Sequence, residues 1–419
     1  MKCRDLGVGA TLVKESARLR LPLPAGISAP AMDSARPFTV DGNRLTLLAE
    51  GPDRLAALIE LIASARRSLR ILYYIYADDD AGRKVNDALI AAAGRGVDVA
   101  LIVDGFGSDA AADKHFFDPL EAAGISVCRF VPRPGRRYLL RNHQKLALAD
   151  GEEADGRIIV GGFNVEDDYF GTAAEQAWRD LGLLVEGPAA SRMTGYFDAL
   201  HDWVRGPKSK LRHLNRALAQ WSERDGAVRW LIGGPTRKLS PWARAVRTDM
   251  GKARRIDIIA GYFTPSPTML RRMDRAGRQG REVRIVTARK SDNNATIAAA
   301  RFTYRGLLKK GVRIFEYLPT KLHTKLYAVD DSIHIGSANF DMRSLFINLE
   351  LMLRIEDAAF AAHVRRYIDG EIGAAEEITY ERYLAATGLW QRTKQFAAYL
   401  IVGIADPMLS RTLNFGIDE

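Results

Sequence analysis

Apolar positions along the chain recur with two alternating spacings. Over residues 52–65 they return every three to four residues, as in an amphipathic helix, and the run that follows, 69–76, is almost continuously apolar and aromatic, as in a buried strand. A helix over 82–93, a strand over 97–103, a helical stretch over 116–123 and a strand-like run over 125–131 continue the alternation. The second half repeats the order: helix 241–252, strand 256–263, helix 268–278, strand 283–287, helix 295–310 and strand 312–317. Strands alternating with helices predict an α/β lobe in each half, and the long-range recurrence marks an internal duplication. The phrase Ala92-Ala93-Gly94-Arg95-Gly96 before one strand is echoed by Ala276-Gly277-Arg278-Gln279-Gly280 before its counterpart.

Each half ends in the same polar pattern inside an apolar run. His143, Lys145 and Asp150 are followed by Gly161-Gly162-Phe163-Asn164; His323, Lys325 and Asp330 are followed by Gly336-Ser337-Ala338-Asn339. On a strand, residues two apart share a face, so each imidazole and its ammonium are expected to point together into one pocket, an arrangement that suits an anion. A lone His-x-Lys on a strand is more often a structural histidine. Two copies in matching frames, each with its own Asp, Gly and Asn, argue against that reading.

Composition bounds the rest. The chain has 419 residues, 47% of them hydrophobic, enough for a sizeable core in two or three domains without metal or disulfide staples. Its two cysteines, Cys3 and Cys128, suit a reducing compartment. Lysine and arginine exceed aspartate and glutamate by 61 to 51, a net charge of +10 that favours anionic partners, phospholipid headgroups and nucleic acid alike, or serves solubility alone. His115, His201, His213, His334 and His363 show no zinc-like spacing, so neither metal nor cofactor is expected. No run is long enough to span a membrane; the longest, 396–405, lies between Arg392, Lys394 and Arg411, and reads either as a helix buried on the second lobe or as an interfacial segment. The organisation expected is a leader over 1–37, lobes over 38–215 and 216–390 joined through a polar, basic bridge at 205–224, and an amphipathic segment over 391–419.

With these residues in place, the sequence resembles the phospholipase D superfamily, whose duplicated His-Lys-Asp signature and trailing Gly-Ser-x-Asn match the motifs above. Within it the chain looks most like bacterial cardiolipin synthases, on the stretch from Asn339 through Arg343, Ser344 and Asn348 to Glu350, and on Leu72 to Tyr76, Asp104 to Ser108 and Trp178-Arg179-Asp180. It departs from the pattern at Gly162, where serine is usual, and in the ten residues between Asp150 and Gly161. The resemblance implies two pseudo-symmetric lobes, each a mixed sheet flanked by helices, with the active site at their interface. It implies a metal-independent phosphatidyltransferase using phosphatidylglycerol or a related phospholipid; a hydrolase releasing phosphatidic acid and a nuclease are the alternatives.

Phosphodiester transfer needs a nucleophile, a proton donor for the leaving oxygen and positive charge around the phosphoryl group. By resemblance His143 is the nucleophile, through a phosphohistidine, and His323 the general acid and base, with the reverse assignment open. Lys145, Lys325, Asn164, Asn339 and Ser337 are expected on the non-bridging oxygens, with Gly162 and Arg141 also at the substrate. Asp180 and Glu350 are candidates to orient the histidines, while Asp150 and Asp330 are assigned to the hairpins. The expected partner is an anionic phospholipid membrane, reached peripherally from the cytoplasmic face, with nucleic acid second.

Overall fold

The computed structural model describes residues 36–112, 115–131, 140–206, 211–236 and 239–405. Most of the leader, the basic run 133–141 apart from its last two residues, and 406–419 lie outside the described residues.

The protein is α/β and is built on two eight-stranded mixed sheets. In the first, Ser126–Phe130, Asp98–Asp104 and Ser68–Tyr73 run parallel, and Leu146–Ala149, Arg157–Gly161, Gly182–Glu186 and Asn43–Leu48 continue antiparallel, with Phe38–Val40 at the far edge. The second sheet repeats this core: Arg313–Tyr317, Glu282–Ala288 and Arg255–Ala260 run parallel, then Lys325–Val329, Ser332–Gly336, Glu350–Glu356 and Val228–Gly233 antiparallel. Its extra strand, Ala375–Ile378, sits on the opposite edge, beside Arg313–Tyr317. Parallel strands must be covered on both faces, which is why these runs are almost uninterruptedly apolar.

One core is shared by both halves: Leu148, Val160 and Leu183 from the first sheet cluster with Ile335, Leu351 and Leu353 from the second. Separate clusters fill the outer faces, where the first sheet meets helices Gly51–Ala63 and Asp80–Gly94 and the second meets Pro241–Lys252, Pro267–Arg278 and Asn294–Leu308. Local chemistry sets several helix starts. Asp79, Ser266, Asn293 and Asp357 each accept a backbone N–H of the first turn, and prolines open Pro241–Lys252 and Pro267–Arg278.

Two expectations change. The bridge at 205–224 is largely a helix, Leu211–Trp221, in which Leu214 and Leu218 are buried; a mostly polar stretch hid a two-residue apolar stripe. The run 396–405 is neither wholly buried nor free: helix Leu389–Ala398 and a π-helical turn, Tyr399–Ala405, bury Gln395 and Tyr399 and leave Phe396 and Ile401 exposed.

Candidate active site

Neither motif histidine lies within a regular strand. The strands begin at Leu146 and Lys325, because the backbone just ahead of them pairs with the other half of the chain. His143 N donates to Leu349 O at 3.0 Å and Leu349 N to Arg141 O at 2.9 Å; in the mirrored arrangement His323 N donates to Arg179 O and Arg179 N to Lys321 O, both at 2.8 Å. Each histidine is thereby stitched beside the residue preceding the other half's carboxylate.

The carboxylates cross over. His143 Nδ1 lies 3.1 Å from both oxygens of Glu350, and His323 Nδ1 lies 2.6 Å from Asp180 Oδ2. With Nδ1–H donating to the carboxylate, each ring keeps Nε2 for the pocket. Burial is the main influence on both rings, pushing His143 down to about 4 and His323 to about 3 against the opposing pull of Glu350 and Asp180. Burial alone would raise the two acids, but Lys325 and His323 around Asp180, and His143 and Lys145 around Glu350, hold both below the usual carboxylate range. The pocket therefore presents two neutral imidazoles backed by two anions.

Lys145 Nζ donates to His143 O at 2.7 Å, and Lys325 Nζ donates to His323 O. Both side chains are buried behind the histidines, and burial lowers both ammonium pKa values, that of Lys325 to about 8. One of three donors is spent on the carbonyl; two remain on each.

Both histidines and both asparagines line one cavity of about 830 Å³. Asn164 is engaged, its Oδ1 accepting Ile75 N at 3.1 Å and its Nδ2 donating to Tyr169 Oη at 3.2 Å, whereas Asn339 Oδ1 has no partner. Arg141 also lines the cavity, with its guanidinium 4.1 Å from the centre of the Phe106 ring. Ser337 turns away from it: its hydroxyl donates to Glu350 Oε2 at 2.5 Å and accepts Leu351 N at 3.0 Å. Gly162 occupies the matching position, where a Cβ would fall 2.5 Å from Asp180 Oδ1. Asp150 accepts N–H groups from Arg66, Arg67 and Ser68, and Asp330 from Arg254 and Arg255, each tying the end of its motif strand to the neighbouring strand.

Three residues support the site in roles that the sequence reading did not assign. Arg54, 1% exposed, donates to the backbone oxygens of Asp180 and Tyr169, both at 2.7 Å, bracing the segment that carries His323's partner. An arginine one turn before Leu58 on the apolar face of its helix was the available signal. Asp104 accepts Asn142 N at 2.7 Å and the Phe106 and Gly107 N–H groups, fixing the backbone beside His143. Ser344 donates to Glu350 Oε1 at 2.8 Å. Among the described residues no cluster of histidine, cysteine and acidic side chains could hold a metal ion.

With this geometry in hand, the comparisons are decisive. The family model described as cardiolipin synthase, phospholipase D-like domain, matches residues 58–201 and 246–372. The chain belongs to that family. It is 31% identical to cardiolipin synthase 1 of Bacillus anthracis over 358 residues, covering 82% of this chain and 69% of the relative. To cardiolipin synthase B of Escherichia coli it is 29% identical, covering 86% and 87%. Its fold is similar to the crystal structure of phosphatidylserine synthase from Haemophilus influenzae, with a TM-score of 0.68 at 14% identity over 88% of this chain and 95% of that one. This chain is accordingly a phosphodiester transferase of the phospholipase D superfamily.

Proposed function

We propose that the protein is a phosphatidyltransferase of the cardiolipin synthase type, taking phosphatidylglycerol or a related phospholipid through a phosphohistidine. The observation that carries the reading is the pair of histidines on one cavity, each held at Nδ1 by a carboxylate from the opposite half. That leaves two Nε2 atoms serving one phosphodiester, one to attack and one to manage the proton.

In the first step His143 Nε2 attacks phosphorus; the P–O bond to the departing alcohol breaks as His323 Nε2–H gives its proton to that oxygen. In the second, neutral His323 takes the proton of an incoming lipid hydroxyl, whose oxygen displaces His143 and restores both rings. The acid step needs a proton that burial works to keep off His323. The negative phosphodiester supplies the missing stabilisation, and Asp180 bonded to Nδ1 supports the imidazolium that forms. Lys145 and Lys325 direct their remaining N–H donors, and Asn339 its amide, at the non-bridging oxygens, where charge accumulates in the transition state.

The test is product analysis by mass spectrometry after incubating wild type and His143→Ala with phosphatidylglycerol vesicles, and separately with DNA. Cardiolipin plus glycerol from wild type alone is the expected result. Phosphatidic acid in its place would make the protein a hydrolase, and cleaved DNA beside unchanged lipid would make it a nuclease.

A further inference from the structure

A lipid substrate leaves its acyl chains in a bilayer, so the cavity must meet a membrane by some face of the molecule. Exposed large apolar side chains are concentrated in one place: Leu389 at 84%, Trp390 at 71%, Phe396 at 46% and Ile401 at 62% follow one another along helix Leu389–Ala398 and the π-helical turn after it. Scattered exposed leucines are ordinary on a soluble protein, but a contiguous run is not.

The segment is not loosely attached. Its other face is anchored through Tyr399, whose ring lies 5.0 Å from that of Phe302 and whose Oη donates to Pro265 O at 3.3 Å, and through Gln395, whose Oε1 accepts Tyr383 Oη at 2.9 Å; Phe396, at the border of the two faces, touches Phe302 at 5.3 Å and stays half exposed. The exposed face is therefore presented by a fixed element. Its charges have one sign: no acidic residue occurs between Glu381 and Asp406, and the exposed Lys394 stands beside Trp390, while the half-buried Arg392 lies toward Gln395 and Tyr399. Lys394 Nζ sits 5.3 Å from the centre of the Trp390 ring. Tryptophan, leucine and lysine on one exposed face are what the boundary between headgroups and acyl chains accepts.

Position links this face to the chemistry. Ile401 and Val402, at the end of the segment, line the cavity that holds both histidines. Phe106, 59% exposed with Arg141 over its ring, lines the same cavity.

We infer that helix Leu389–Ala398 and the turn Tyr399–Ala405 form an interfacial docking surface for an anionic phospholipid bilayer, bringing the mouth of the cavity to the headgroups. Acyl chains then remain in the membrane beside Trp390 and Ile401 while the phosphodiester reaches the histidines. The inference rests on the lipid reading above, and its test separates the two.

The full chain is floated with phosphatidylcholine vesicles with and without phosphatidylglycerol, at low and high salt, as wild type, His143→Ala, Leu389→Asp/Trp390→Asp and Trp390→Phe. Turnover is measured in parallel on a short-chain phosphatidylglycerol kept monomeric. Docking predicts salt-sensitive flotation that needs the anionic lipid, about a tenfold or greater loss in the double aspartate variant, retention in Trp390→Phe, and unchanged turnover of the monomeric lipid. Flotation of the double aspartate variant equal to wild type would overturn docking, even with lipid turnover intact. A dimer in sedimentation velocity that this variant abolishes, with vesicle binding unaffected, would assign the face to a second copy instead and overturn it too. Flotation that depends on Trp390, without turnover of either lipid, would leave docking standing and sink the lipid chemistry.

Discussion

The two half-sites share a plan and differ in how each imidazole is held. Glu350 is crowded with donors: Ser337 and Ser344 hydroxyls bond one oxygen each, and His143 Nδ1 lies equally far from both. Asp180, one methylene shorter, has Leu181 N on Oδ1 at 2.7 Å and His323 on Oδ2. Gly162 leaves room for it where the other half carries Ser337. Among the described residues His143 has one aromatic neighbour, Tyr74 at 5.1 Å between ring centres, and His323 has three: Tyr169 at 5.2 Å, Trp178 at 5.3 Å and Tyr262 at 5.9 Å. A carboxylate shared among several donors gives up less charge to each. On hydrogen bonding alone the half with fewer donors is the better partner for an imidazolium, which supports the proposed division of His323 for the proton and His143 for phosphorus, while burial works against it, holding His323 at about 3 and His143 at about 4.

The largest expected effect tests that division. Both His143→Ala and His323→Ala should lose about ten-thousand-fold or more in transfer. On a diester with a nitrophenol leaving group, which departs without a proton, His323→Ala should still accumulate phosphohistidine in mass spectra of alkali-quenched reactions, and His143→Ala should not. The opposite outcome would exchange the roles.

Next come the carboxylates. In Asp180→Asn the amide oxygen stays on Leu181 N, so the NH2 faces His323 Nδ1 and forces the wrong tautomer; about a thousandfold loss in kcat is expected. In Glu350→Gln the amide can donate to a serine hydroxyl and keep its oxygen toward His143, and the loss should be nearer tenfold. Equal losses would erase the distinction. Gly162→Ser should cost about tenfold to a hundredfold in kcat, because its Cβ displaces the Asp180 carboxylate, and Ser337→Gly, which only removes a donor from Glu350, should cost less.

The smallest effect is on stability. Both histidines are held at about 4 and about 3 when folded, below the ordinary value near 6.5, so the unfolded chain binds more protons as pH falls. Their contribution is complete above about pH 6.5 and is lost progressively toward pH 4 and then 3. Urea unfolding at pH 5 should therefore take up about one proton fewer for each histidine replaced by glutamine. Unchanged uptake in His323→Gln alone would mean that Asp180 keeps that ring protonated.

Much of the frame was legible because duplication writes a pattern twice. Helix Pro241–Lys252 has the bounds its periodicity predicts, and the central strands differ by a few residues at their ends. The strands left out of that reading, Asn43–Leu48, Gly182–Glu186 and Val228–Gly233 among them, lie outside the alternating helix and strand blocks and pair antiparallel with partners far along the chain. No local period marks such pairing.

The sequence by itself pointed to the side chains of the candidate site: paired His and Lys through a motif written twice, a trailing Asn after each, and Asp180 and Glu350 through the family resemblance. It also determined where the apolar strands behind them run. Tertiary structure alone decided who serves whom. Glu350 reaches His143 across 207 positions and Asp180 reaches His323 across 143, because the two motif segments pair with each other's carboxylate segments along the shared interface. The same packing turned Ser337 onto Glu350, placed Arg54 under Asp180 and set one face of a C-terminal helix outward. Spacing reports which residues share a face of one element. It carries no record of which face of a distant element that one will meet.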